Sequence, residues 1–223
     1  MHTSYRKTKD MKAKAILAAG LMMAASAVTS LAQTVYSVNS VGFVNVVFPP
    51  GFSLGCNPLD GADNTLAALF PTVPNGTSIF KFDTATGNFV GGTFSRGSWG
   101  QNATLTLVPG EGFFFKNPDP VVSFTNTFVG NVKQGVLSTP LVSGFTLVGS
   151  QVPQAGLISA DLGFVPANGD TIFRFDPAVQ NYTLSQFIRG SWGQGEPTIA
   201  VAEGFFIKKA VAGVWSRTFS VNQ

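Results

Sequence analysis

Beyond residue 40 the chain is a succession of short apolar runs broken by clusters of Gly, Pro, Asn, Asp and Thr. Several runs alternate with a period of two, the spacing of a strand whose faces meet different surroundings. In Ile79-Phe-Lys-Phe-Asp83, Phe80 and Phe82 share one face while Ile79, Lys81 and Asp83 share the other. Gly51–Asn57, Thr104–Val108 and Gly112–Lys116 read as further strands. Asn75-Gly76 and Asn168-Gly169 precede alternating runs and are turn signals. Asp83–Asn88 and Asp176–Asn181 read as turns into Phe89-Val90 and Tyr182-Thr183. The single helical hint is Asp63–Phe70, where a capping residue precedes a short apolar stretch. The expected fold class is all-β.

The pattern occurs twice. Residues 51–83 align without a gap on 144–176, an offset of 93. Gly51-Phe-x-Leu54 matches Gly144-Phe-x-Leu147, and Asn75-Gly-x-x-Ile-Phe-Lys-Phe-Asp83 matches Asn168-Gly-x-x-Ile-Phe-Arg-Phe-Asp176. Arg96-Gly-Ser-Trp-Gly-Gln101 returns unchanged as Arg189-Gly-Ser-Trp-Gly-Gln194. After the loss of one residue, Glu111-Gly-Phe-Phe114 matches Glu203-Gly-Phe-Phe206. The expected organisation is two tandem modules of about ninety residues, spanning 33–131 and 132–223, each a β-sandwich or small barrel. One fused β-domain with a pseudo-two-fold axis is the alternative. Tyr36-Ser-Val-Asn39 also echoes Phe219-Ser-Val-Asn222, so strands near both termini are expected to pair with each other or to offer edges for self-association.

Residues 1–32 differ from the rest. Lys12 and Lys14 precede the apolar run Ala15–Val28, and Ser30 and Ala32 stand at the −3 and −1 positions of a cleavage after Ala32. This is the pattern of a secretory signal peptide, and Met11 makes its most compact start. Fourteen apolar residues fall short of the roughly 20 needed for a membrane span. The expected location is therefore periplasmic, outer-surface or extracellular. Removing this segment alters the charge reading. The whole chain has 14 Lys+Arg against 11 Asp+Glu, but five of the basic residues and one acidic residue lie in residues 1–32. The remainder carries nine basic and ten acidic groups, and it holds neither the single His nor any of the four Met. Histidine catalysis, histidine metal sites and a basic nucleic-acid surface are excluded for the mature chain. Cys56 is the only cysteine, so no intramolecular disulfide exists, and a small buried apolar role is the favoured reading.

Five charged positions recur in both copies: Lys81/Arg174, Asp83/Asp176, Arg96/Arg189, Glu111/Glu203 and Lys116/Lys208. Retention of this kind suits paired charges whose partners would be stranded alone. The expected ion pairs are Arg96 with Glu111 and Arg189 with Glu203. The Arg-Gly-Ser-Trp-Gly-Gln block allows two readings. Either Trp99 and Trp192 plug the ends of a core, or they stack on a sugar while Arg96, Gln101, Arg189 and Gln194 bond its hydroxyls. Glu111 and Glu203 repeat one position and do not form an asymmetric acid–base pair, so no catalytic residues are assigned. The Asp60–Asn64 oxygens have no counterpart in copy two, and no metal or cofactor is expected.

The order Gly-Phe-x-Leu, Asn-Pro-Leu, Asn-Thr-Leu-x-x-Leu-Phe-Pro, Pro-Asn-Gly-Thr, Phe-Lys-Phe and Pro-Gly-Glu-Gly-Phe-Phe resembles a group of uncharacterised exported proteins of environmental Gram-negative bacteria. That resemblance implies one or two β-modules behind a signal peptide and covers nearly all of the mature chain, although copy two lacks Asn-Pro-Leu. It carries no activity. The expected function is a secreted, non-enzymatic structural or interaction protein of the cell envelope or extracellular matrix. Its expected partners are envelope proteins or a surface glycan, without nucleic acid or a membrane span. A carbohydrate-binding module using the two Trp loops is the alternative.

Overall fold

A computed structural model describes residues 40–222. The expected signal peptide and the Tyr36–Asn39 echo lie outside the described residues. The fold is all-β; the described residues hold one four-residue α-helix and one five-residue 3-10 helix, Gly100–Thr104, and belong to one compact unit. Among them, no helix is long and apolar enough to cross a membrane.

In the first half, strands β1 (Val41–Phe48), β2 (Gly51–Cys56), β3 (Ser78–Asp83), β4 (Asn88–Thr93), β5 (Gly112–Asn117) and β6 (Phe124–Asn131) surround helix α1 (Leu66–Leu69). They form an antiparallel sheet in the order β2-β5-β3-β4 and a separate two-stranded ribbon, β1-β6. The second half contains β7 (Gly135–Leu141), β8 (Gly144–Gly149), β9 (Gly156–Leu157), β10 (Thr171–Asp176), β11 (Asn181–Ile188), β12 (Ser191–Trp192), β13 (Thr198–Ile199), β14 (Gly204–Lys209) and β15 (Gly213–Phe219). Its sheet runs β8-β14-β10-β11-β12, its ribbon is β7-β15, and β9 pairs with β13. The order of the first sheet thus recurs in the second, and no sheet closes into a barrel. Among the described residues, the strands nearest the two termini do not pair with each other. β1 binds β6 and β15 binds β7, each within its own half.

Alternation along the strands produces a layered molecule. Ile79, Phe113 and Phe115 turn inward from the first sheet to meet Phe48 and Phe128 of the ribbon and Leu66 and Leu69 of α1. Ile172, Phe205 and Ile207 meet Leu141 and Trp215 in the same way in the second half. The opposite faces of the two sheets are apolar as well, and they pack on each other through Leu54, Leu147 and Phe206 with partly buried Phe82, Phe114, Phe173, Phe175 and Tyr182. Strands apolar on both faces are covered on both sides. Ribbon, sheet, sheet and ribbon follow one another in sequence across these contacts.

Two expected elements differ. Thr104–Val108 alternates, with Leu107 fully buried, yet it joins no sheet. Its backbone is used locally: Leu66 N–H donates to Leu105 O and Leu107 N–H to Asn64 O, at 2.8 Å each. The helix begins after Thr65, whose hydroxyl accepts from Ala68 N–H at 3.4 Å, and not after Asp63 or Asn64. Those side chains are used one turn earlier: Asp63 accepts from Thr65 N–H, and Asn64 bonds Asp60, Asn57 and Gly61.

The halves also join by backbone hydrogen bonds at the ends of β2 and β8. Cys56 N–H donates to Ala202 O at 2.9 Å, and its counterpart Gly149 N–H donates to Gly110 O at 3.0 Å. Backbones this close leave room for one side chain. A Cβ on Gly149 would lie 2.4 Å from Cys56 Cβ and 2.6 Å from its sulfur. Cys56 fills that space and is fully buried, its thiol donating to Asn57 O and Ser150 O at 3.4 and 3.5 Å. Burial pushes the thiol from its ordinary 9.0 up to about 12. In the unfolded chain the thiol ionises first, so its contribution to stability is complete below pH 9 and is lost as pH rises toward 12. Urea unfolding of wild type against Cys56→Ala at pH 8 to 11 should show the difference shrinking by about 1.4 kcal/mol per unit above pH 9. A constant difference would refute the assignment.

Candidate functional site

The recurring charges reach partners other than those expected. Glu111 Oε1 pairs with Lys81 Nζ at 2.7 Å, and Glu203 receives Arg174 in a two-pronged pair at 2.6 and 3.0 Å. Arg96 and Arg189 take no part. Sheet register sets these partners: β3 lies beside β5 with Lys81 opposite Phe113, two residues from Glu111, whereas Arg96 lies in the turn beyond β4. Each glutamate also accepts a backbone N–H from the turn that precedes its strand, Val108 at 3.1 Å and Ala200 at 2.8 Å. The carboxylates therefore fasten a turn to a sheet. Asp83 and Asp176 close the next turn by accepting from Ala85 and Ala178 N–H, and hydrogen bonds from the Thr86 hydroxyl and Ala85 N–H hold Asp83 below the usual carboxylate range.

The two Arg-Gly-Ser-Trp-Gly-Gln blocks form tight turns. Arg96 and Gly97 have φ of 53° and 78°, and Arg189 and Gly190 have 53° and 81°. Positive φ at both central residues marks the turn that suits strand twist. Asn75 and Asn168 side chains accept from Gly97 and Gly190 N–H at 3.2 and 3.0 Å. Arg96, Gln101, Arg189 and Gln194 are exposed. The Trp rings are not presented with them. Trp99 is 4% exposed, donates Nε1–H to Phe70 O at 2.9 Å and packs edge-on against Phe94. It plugs the core and has no face for a sugar. Trp192 is half-buried against the second core and donates to Ser159 Oγ at 3.3 Å. In that half the fully enclosed indole is Trp215, bonded to Leu162 O at 2.9 Å. The two blocks thus do not assemble the expected stacking site.

A different site emerges where the sheets meet. Phe52, Phe80, Phe89 and Phe114 of the first half, with Phe175, Tyr182 and Gln180 of the second, line an open cleft of about 590 Å³. The equivalent rings with the halves exchanged line a second cleft of about 340 Å³. Phe52 and Phe89 are 37% and 48% exposed, unusual for rings of this size. Gln180 closes one end of the larger cleft: its Oε1 accepts from Phe52 N–H and its Nε2 donates to Phe52 O, both at 2.9 Å. Its counterpart in the repeat is Gly87, which has no side chain to do this. These aromatic residues were legible only as strand residues, although runs apolar on both faces, such as Gly112–Lys116, signalled a second covered face.

A second exposed apolar surface lies on the first ribbon. Val41, Phe43 and Val47 project from one face of β1, with Val129 opposite Phe43 on β6. Comparison of the chain with protein-family models, with curated proteins and with solved structures finds no match in any of the three.

Proposed function

We propose that this chain is an exported, non-enzymatic structural protein of the cell envelope or extracellular matrix that associates through β1. The observation that carries the reading is the apolar face of the first ribbon, where Val41 and Phe43 are 70% and 72% exposed and Val129 is 59% exposed. On its other edge β1 has no strand partner among the described residues. An exposed apolar edge strand is a template for another strand, and folded proteins normally blunt such edges with charge or Pro. β1 contains neither. The basic, apolar and small-residue pattern of residues 12–32 supports export. The engagement of Glu111 and Glu203 with turns and sheets supports a role without catalysis.

Sedimentation of the chain from residue 33 onward should show mass rising with concentration. Phe43→Ser together with Val129→Ser, both at exposed positions, should lower that mass toward the monomer without changing the circular dichroism spectrum. A monomer at every concentration, or association untouched by the two changes, overturns the proposal.

A further inference from the structure

We propose that the larger cleft between the sheets binds a single-chain amphiphile with one anionic head, of the chemical class of a medium-chain fatty acid. The cleft walls are almost wholly aromatic, and its volume of about 590 Å³ lies within the range of small-molecule sites. Gln180, its one polar lining side chain with an amide, already uses both ends of that amide on Phe52 and neighbouring carbonyls. A sugar would find a single free partner there, the Tyr182 hydroxyl, too few for its several hydroxyls, whereas an alkyl chain needs none.

The head group is indicated by Lys116. Its ammonium stands 5.6 Å over the Phe52 ring, on the strand face it shares with Phe114, and it makes no ion pair among the described residues. Lys208 stands 5.4 Å over Phe145 in the same relation to the smaller cleft. These are the recurring cations that neither the cores nor the turns use. An apolar trough with an unpaired cation standing over one of its lining rings is complementary to an apolar chain ending in a carboxylate.

The two clefts differ at a paired position as well as at Gln180 and Gly87. On the first sheet the partly buried Phe80 lies opposite Gly91, which has no side chain; on the second, the partly buried Phe173 lies opposite Leu184. A Cβ at Gly91 would meet Ile79 O at 2.0 Å, so the open side of the larger cleft is built into the backbone. One molecule per chain is therefore expected, in the cleft beside Lys116.

Calorimetric titration with dodecanoate below its micelle-forming concentration, and with dodecanol, tests this. Wild type should bind one dodecanoate. Lys116→Met should weaken dodecanoate about three- to five-fold, the effect of losing one exposed charge pair, and leave dodecanol unchanged. Lys208→Met should alter neither. Both lysines are exposed, and their variants should keep the wild-type circular dichroism spectrum. Absence of dodecanoate binding overturns the proposal. So does an equal effect of the two lysine changes, or binding to phosphatidylglycerol vesicles without binding to monomeric dodecanoate. This outcome is independent of association through β1, since Phe43 and Val129 lie on the ribbon and not in the cleft.

Discussion

Asp170→Asn should lower the stability of the protein by about 3–5 kcal/mol, the range for removing one member of a buried ion pair. Asp170 is 2% exposed, and its carboxylate receives the Lys209 ammonium and Ala167 N–H. The Lys209 side chain is itself nearly buried, lying over the Phe164 ring. Neutralising the acid leaves a cation in an apolar setting with no counter-charge. A loss of this size is a large part of a typical 5–15 kcal/mol domain stability. The first half shows how the same place is filled without charge. Thr77 stands at the position of Asp170, and Asn117, at that of Lys209, donates to Phe48 O and Val122 O at 3.1 and 2.9 Å. The double replacement Asp170→Thr with Lys209→Asn should therefore cost much less than the sum of the single changes. Urea unfolding of the four proteins measures the coupling, and additive losses would show that the pair acts as two separate groups.

Trp99→Ala should cost about 3–5 kcal/mol, whereas Trp192→Ala should cost about 1–2 kcal/mol. The difference follows from burial. Removing Trp99 opens a void beside Phe94 and strands the Phe70 carbonyl that its indole satisfies. Trp192 is already partly in solvent, and its indole bonds a hydroxyl that water can replace. Denaturant midpoints decide the matter. Equal costs would mean that an identical six-residue block makes two equal contributions, which the packing contradicts. The same variants separate a structural Trp from a ligand-stacking one: polysaccharide retention lost in Trp192→Ala with stability intact would restore a sugar-binding role for the second loop.

Much of the fold was legible because its signals are local. Alternation in Ile79–Asp83, Asp at the head of each following turn and Gly-Phe-x-Leu at each β2-type strand all act within a few residues. The recurrence of Glu111 and Glu203 likewise pointed to a structural bond. Its partner was not legible, because Lys81 reaches Glu111 only after β3 has docked beside β5, and no chain spacing reports which strands become neighbours. Nearness in sequence favoured Arg96, which register places elsewhere. Trp99 and Trp192 were equal in sequence and unequal in burial because Trp215, from a strand without a matching Trp in the first half, supplies the enclosed indole of the second core. The aromatic clefts were hidden for a related reason. Alternation puts Phe80 and Phe82 on one face, but that this face meets an equivalent face depends on the whole sheet, not on any one strand.

The contact between Cys56 and Gly149 bears on how these halves can be combined. Two first halves brought together in the same way would place a second Cys where only hydrogen now fits, with Cβ atoms 2.4 Å apart. That is closer than even a disulfide allows, since its Cβ atoms need about 3.5–4.5 Å. Two second halves would meet glycine to glycine and leave a hole where the thiol lies. Neither half can serve as its own partner at this joint without repacking, so the covalent link between them is matched by a lock-and-key difference at a single pair of positions.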